Sequence, residues 1–128
     1  MKEALLSIIK DKNRIITGQI DPQYLSDNLG RKKGTAEAVV FPVSTEEVSG
    51  IMRYAWENNL PVTPRGAGTN LVGSTVPSGH GIVLDVSLMN HVLELDEETF
   101  TATVEPGVVL EDFQTYVESK GLFYPPDP

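Results

Sequence analysis

The sequence predicts an α+β fold, in which a small parallel βαβ lobe flanked by helices leads into the start of an antiparallel lobe. Two observations predict it. A short apolar run at 36–42 (AEAVVFP), an amphipathic stretch opening at Ser44 and a second short run at 61–63 follow one another as strand, helix, strand. A crossover of that order is right-handed and joins parallel strands. Further on, Val92–Asp96 and Thr101–Val104 alternate apolar and polar residues about Asp96-Glu97-Glu98-Thr99, the pattern of a hairpin with one solvated face.

Taken in order, residues 2–12 place Leu5, Ile8 and Ile9 on one helical face. Asp21-Pro22 reads as an N-cap followed by a first-turn proline, opening a short helix through Asn28. The basic residues between Gly30 and Gly34 read as a solvated turn, although they could draw an anionic partner. Ser44 and Glu47 form a capping box, with Val43 and Val48 spaced as a hydrophobic staple. Behind them Val48, Ile51, Met52, Ala55 and Trp56 make an apolar stripe, and Trp56 is expected in the core. Asn58, Asn59 and Pro61 end that helix. Residues 81–87 (GIVLDVS) read as a third buried strand. Asp85 interrupts it, either as a functional carboxylate or as a residue facing an edge, and the structural reading is preferred. The acidic hairpin turn reads as a soluble tip rather than a metal site. Pro106-Gly107 ends the hairpin. Leu110, Phe113, Tyr116 and Val117 then mark a helix with Glu111 and Asp112 in its first turn and Gly121 as its cap.

The stretch 61–79, PVTPRGAGTNLVGSTVPSG, begins as a short strand, breaks at Pro64-Arg65-Gly66 and runs on without helical periodicity. Gly66, Gly68 and Gly73 let a ligand lie against the main chain. Successive N–H groups in such a loop can cup an anion, while Thr69, Asn70 and Ser74 add uncharged donors. Arg65 is its one cation, so a bound diphosphate would be held mainly by backbone dipoles. A dinucleotide fingerprint is excluded, because the third glycine comes two residues late and no helix can follow it. A Walker loop is excluded too, since no Gly-Lys-Ser/Thr occurs. A glycine-rich surface loop without a ligand remains open on spacing alone.

Composition narrows the partners. The chain has 128 residues, one domain's worth, with 40% hydrophobic residues and a net charge of −8. An acidic surface repels phosphate backbones and argues against nucleic acid. The absence of cysteine excludes thiol catalysis and cysteine-ligated metals in this segment. The N-terminus is too short and charged for a signal peptide or membrane span, so the chain is expected to be cytoplasmic. His80 and His91 each stand beside a turn and are expected to be structural or solvent-facing.

Five segments together resemble a known family: AVVFPVSTEEV, PVTPRGAGTNLVG, GIVLDVSLMNHVLELD, ATVEPGV and GLFYPPDP, in that order. They resemble the N-terminal part of FAD-linked oxidases of the PCMH or vanillyl-alcohol-oxidase type, nearest the glycolate oxidase and D-lactate dehydrogenase branch. The resemblance implies an N-terminal helical segment at 1–34 and the first part of an FAD-binding domain at 35–128. It implies that Pro64, Arg65, Gly66, Ala67, Gly68, Thr69, Asn70, Gly73 and Ser74 hold the FAD diphosphate, with Pro126 and Asp127 near the flavin. Many relatives have a second small residue such as glycine where Ser74 stands. The family oxidises 2-hydroxy acids such as glycolate or D-lactate, with a companion oxidase or iron–sulfur subunit in some systems. Relatives continue for several hundred residues, so the substrate site, catalytic groups and any metal site are expected beyond Pro128, and the fragment alone is expected to be inactive. A stand-alone nucleotide- or phosphate-binding module and a non-catalytic interaction subunit are the competing readings.

Overall fold

The computed structural model describes residues 1–25, 36–66 and 81–124. Helix α1 (Lys2–Ile9) buries Leu5 and Ile9. It stops before the expected Lys12, because Lys10 turns left-handed (φ 62°) and its N–H closes on Leu6 O at 2.9 Å. Asp11 then caps a 3-10 turn, Lys12–Arg14, by accepting from Asn13 N. Strand β1 (Ile15–Thr17) follows, where the sequence predicts only helices, and pairs antiparallel with β2 (Ala38–Val40). Of the helix expected from Asp21-Pro22, the described part is one 3-10 turn, Pro22–Tyr24, and residues 26–28 lie outside the described residues.

Helix α2 (Thr45–Glu57), β3 (Val62–Arg65) and β4 (Ile82–Asp85) complete the lobe. The sheet runs β1-β2-β4-β3, with β4 parallel to both β2 and β3. Both faces of the central pair are buried, which is why AVV and IVL read as unbroken apolar runs. One face packs Ala38, Val40, Ile82 and Leu84 against Leu5 and Ile9 of α1, Ile15 of β1, and Ile51 and Ala55 of α2. The other carries Val39, Val83 and Asp85. Asp85 therefore does not lie on an outer strand: β4 runs between two strands, because β3 enters outside it.

The capping box at α2 forms with one change. Ser44 Oγ accepts from Glu47 N at 3.2 Å, but Glu47 Oε1 accepts from Val43 N at 2.8 Å. Glu47 is also gripped by Arg14, whose guanidinium donates to both carboxylate oxygens (2.7 and 3.0 Å), to Phe41 O and to Ile9 O. Val43 stays exposed, while Val48 packs against the core. Trp56 is 85% exposed and is not a core residue, and Met52 is exposed too. Helical spacing gives the reason. Gly50 turns its flank of α2 to Ile8 of α1, and Met52 and Trp56 project from the opposite flank.

Strands β5 (Val92–Asp96) and β6 (Thr101–Val104) form the expected hairpin, with a bulge between Val92 and Glu94. Asp96 Oδ1 organises its turn by accepting from Glu98 N and Thr99 N, which holds the carboxyl below its ordinary range. β6 is exposed along its length, so the one-covered-face expectation fails there. A cavity of about 570 Å³, lined by Leu95, Ala102, Val104, Phe113 and Val117 among others, separates the hairpin from helix α3 (Leu110–Ser119).

Helix α3 ends as the sequence predicts. Gly121 is left-handed (φ 77°), with Leu122 N on Val117 O at 2.9 Å and Gly121 N on Glu118 O at 3.0 Å. A Cβ at Gly121 meets nothing within 4 Å, so Gly121→Ala tests the backbone conformation alone. The substitution should cost about 1 kcal/mol of unfolding free energy by urea titration.

Candidate functional site

The site grows from the carboxyl ends of β3 and β4. Their parallel pairing runs from Val62↔Ile82 to Arg65↔Asp85, so both strands deliver their last residues to one edge of the sheet. Ligands bind at that edge in open α/β sheets. Ile82 N donates to Pro61 O at 2.9 Å and Val86 N to Arg65 O at 2.8 Å, fixing the register at its limits. The strand does not break at Pro64, as its sequence suggests, but runs through Arg65. β3 is an outer strand among the described residues, where a residue without an N–H is tolerated.

Pro64, Arg65 and Gly66 are thus brought together at this edge. Ala67, Gly68, Thr69, Asn70, Gly73, Ser74, Pro126 and Asp127 lie outside the described residues, as does His80. The two described glycines that flank the edge behave differently. A Cβ built on Gly66 would meet one described atom within 4 Å, Pro106 O at 3.7 Å, and Gly66 is not among the glycines with positive φ. Neither the described neighbours nor the backbone conformation requires glycine there. At Gly107 a Cβ would lie 2.0 Å from Val86 O and 2.8 Å from Met89 O. There glycine is required by packing. Gly107 N donates to Met89 O at 2.8 Å, and this contact brings Pro106 beside Gly66.

Read locally, Pro106-Gly107 only ends a hairpin, and nothing in that local pattern marks it as a wall of this edge. His91 is solvent-facing, and its Nδ1 lies 2.5 Å from Glu105 Oε1. The Glu105 carboxyl is held below its ordinary range, first by the His91 main-chain N–H at 3.0 Å and then by the ring. Among the described residues no three His, Cys, Asp or Glu side chains group to hold a metal ion, and no helix is long and apolar enough to cross a membrane. An arginine followed by a glycine at a strand exit suits an anionic group.

A sequence profile of the FAD binding domain matches residues 36–128. The chain belongs to the FAD binding domain family. This FAD binding domain is 43% identical over its whole length to glycolate oxidase subunit GlcD of Bacillus subtilis (strain 168), covering 27% of that protein. It is 37% identical to D-lactate dehydrogenase of Anaerostipes hadrus over 94% of this chain and 26% of that one. The solved structure of p-cresol methylhydroxylase with substrate bound shares its fold, with a TM-score of 0.80 at 22% identity over 94% of this chain and 24% of that chain. The family and the α+β architecture read from the sequence are borne out. The chain spans about a quarter of the length of these relatives.

The described residues fit FAD as a cofactor. Gly66 puts no side chain at the strand exit, and Arg65, a cation, ends β3 immediately before it.

Proposed function

We propose that this FAD binding domain is the flavin-holding part of an oxidoreductase that converts a 2-hydroxy acid, glycolate or D-lactate, to the 2-oxo acid. The observation that carries the substrate class is the 43% identity over the whole chain to a glycolate oxidase subunit, joined by a D-lactate dehydrogenase at 37%. The diphosphate lies against main-chain N–H groups running from Gly66 through Ala67 and Gly68 to Gly73. Thr69, Asn70 and Ser74 add side-chain donors, Pro64 fixes the entry, and Arg65 supplies the local cation. Pro126 and Asp127 lie toward the flavin. Bound flavin accepts the hydride lost from the hydroxyl-bearing carbon. The residues of this chain bind and orient the cofactor. The substrate clamp and catalytic base belong to the further length that the relatives possess. A cytoplasmic location and a companion oxidase or iron–sulfur subunit belong to the same reading.

The full-length protein should purify yellow and release FAD rather than FMN on denaturation. It should also reduce an artificial acceptor when given glycolate or D-lactate. Gly66→Ala should change apoprotein stability by under about 0.5 kcal/mol, because the described fold has room for the methyl group. The same change should weaken FAD binding by about tenfold or more, since the methyl group stands where the ligand must approach. A colourless protein whose melting temperature FAD does not raise would remove the proposal.

A further inference from the structure

Asp85 is the one charged side chain buried among the described residues, 4% exposed, and no role above uses it. Burying a carboxylate without partners is costly, so its surroundings matter. It stands at the carboxyl end of the central strand, on the sheet face opposite α1 and α2, in register with Arg65. Its Oδ1 accepts from Ser87 N at 2.9 Å. That bond shapes the turn over 86–89, which closes with Met89 N on Val86 O at 2.9 Å. The turn then reaches both walls of the site. Val86 N donates to Arg65 O at 2.8 Å, immediately before Gly66, and Met89 O accepts from Gly107 N at 2.8 Å. Val86 O is also the atom against which Gly107 is pressed.

We infer that Asp85 is a positioning residue for the FAD site: through the Ser87 N–H it holds the 86–89 turn, and that turn sets the Arg65–Gly66 exit against the Pro106–Gly107 turn. The inference rests on the FAD reading above. Its role needs a hydrogen-bond acceptor at Oδ1 rather than a charge, because the donor is a neutral amide. A negative charge at the edge that takes two phosphates works against anion binding. Asparagine should therefore serve as well as aspartate, and leucine of similar size should not.

The test is FAD affinity of the full-length apoprotein by fluorescence titration, with the apoprotein melting temperature measured alongside. Asp85→Asn should stay within about threefold of the wild-type Kd, whereas Asp85→Leu should weaken it by about tenfold or more. Ser87→Pro reads the same bond from the donor side. Ser87 is the second residue of the 86–89 turn, a position that suits the fixed φ of proline, and the change deletes the N–H while keeping the carboxylate. It should match the loss in Asp85→Leu and decides the matter if that variant does not fold. A wild-type Kd in either Asp85→Leu or Ser87→Pro overturns the positioning role, even if the melting temperature falls. So does an Asp85→Asn protein as weak as Asp85→Leu. A wild-type protein that takes up no FAD overturns the cofactor reading and this inference with it.

Discussion

Gly107→Ala is expected to cost about 3 kcal/mol of stability and to leave the protein largely without flavin. The added methyl group would stand 2.0 Å from Val86 O and 2.8 Å from Met89 O. Both are main-chain atoms, so no side chain can rotate away to make room. The strain should be relieved by lifting the Pro106–Gly107 turn from the 86–89 turn, which breaks the 2.8 Å bond from Gly107 N to Met89 O. Pro106 then moves from its place beside Gly66. Urea titration of the apoprotein and flavin content of the purified protein measure the two effects. Wild-type stability together with full flavin occupancy would show that this contact does not matter.

Arg14→Ala should destabilise the fold by about 2–3 kcal/mol, well above the value of an exposed ion pair. The reasons are burial and valence. The Arg14 and Glu47 side chains are only 17% and 15% exposed, and the guanidinium also satisfies Ile9 O and Phe41 O. One side chain thus ties the end of α1, the exit of β2 and the start of α2. Lysine lacks the planar fork, so Arg14→Lys should lose about half as much. The pH dependence follows from the same pair. Glu47 is held below its ordinary value of 4.5, chiefly by the Arg14 hydrogen bonds, and the guanidinium is correspondingly raised. A carboxyl with a lowered folded value stabilises the fold above its ordinary value, and that stabilisation disappears as pH falls through the folded value. Stability should therefore decline below pH 4.5 in the wild type, and Glu47→Gln should show a lower plateau and a flatter acid limb.

Much of the fold was legible because local chemistry and final structure agree. Ser44 and Glu47 start a helix, Asp96-Glu97-Glu98-Thr99 turns a hairpin, and Gly121 ends α3, each through hydrogen bonds made within a few residues. What was missed depends on neighbours far along the chain. Ile15-Ile16-Thr17 is too short to show a period and becomes a strand only by pairing with Ala38–Val40. The stripe on α2 shows that one side is apolar but not which flank α1 will cover, so Trp56 was placed inside. A carboxylate in an apolar run suggested an edge, yet Asp85 lies mid-sheet, because strand order is not written within any one strand. At the site, the glycine pattern marked the stretch that holds Arg65 and Gly66, and the family resemblance added Pro64. The opposing wall at Pro106 and Gly107 comes from a tertiary contact that leaves no local trace.

The central claim is that main-chain amides between Arg65 and Ser74, rather than side-chain charge, take the diphosphate of FAD. Amide hydrogen exchange of the full-length protein, followed by mass spectrometry with and without FAD, tests it most directly. The account predicts that FAD slows exchange strongly in peptides covering 66–74, and that FMN, with a single phosphate, protects them less. Tight FAD binding with unchanged exchange across 66–74 would contradict it.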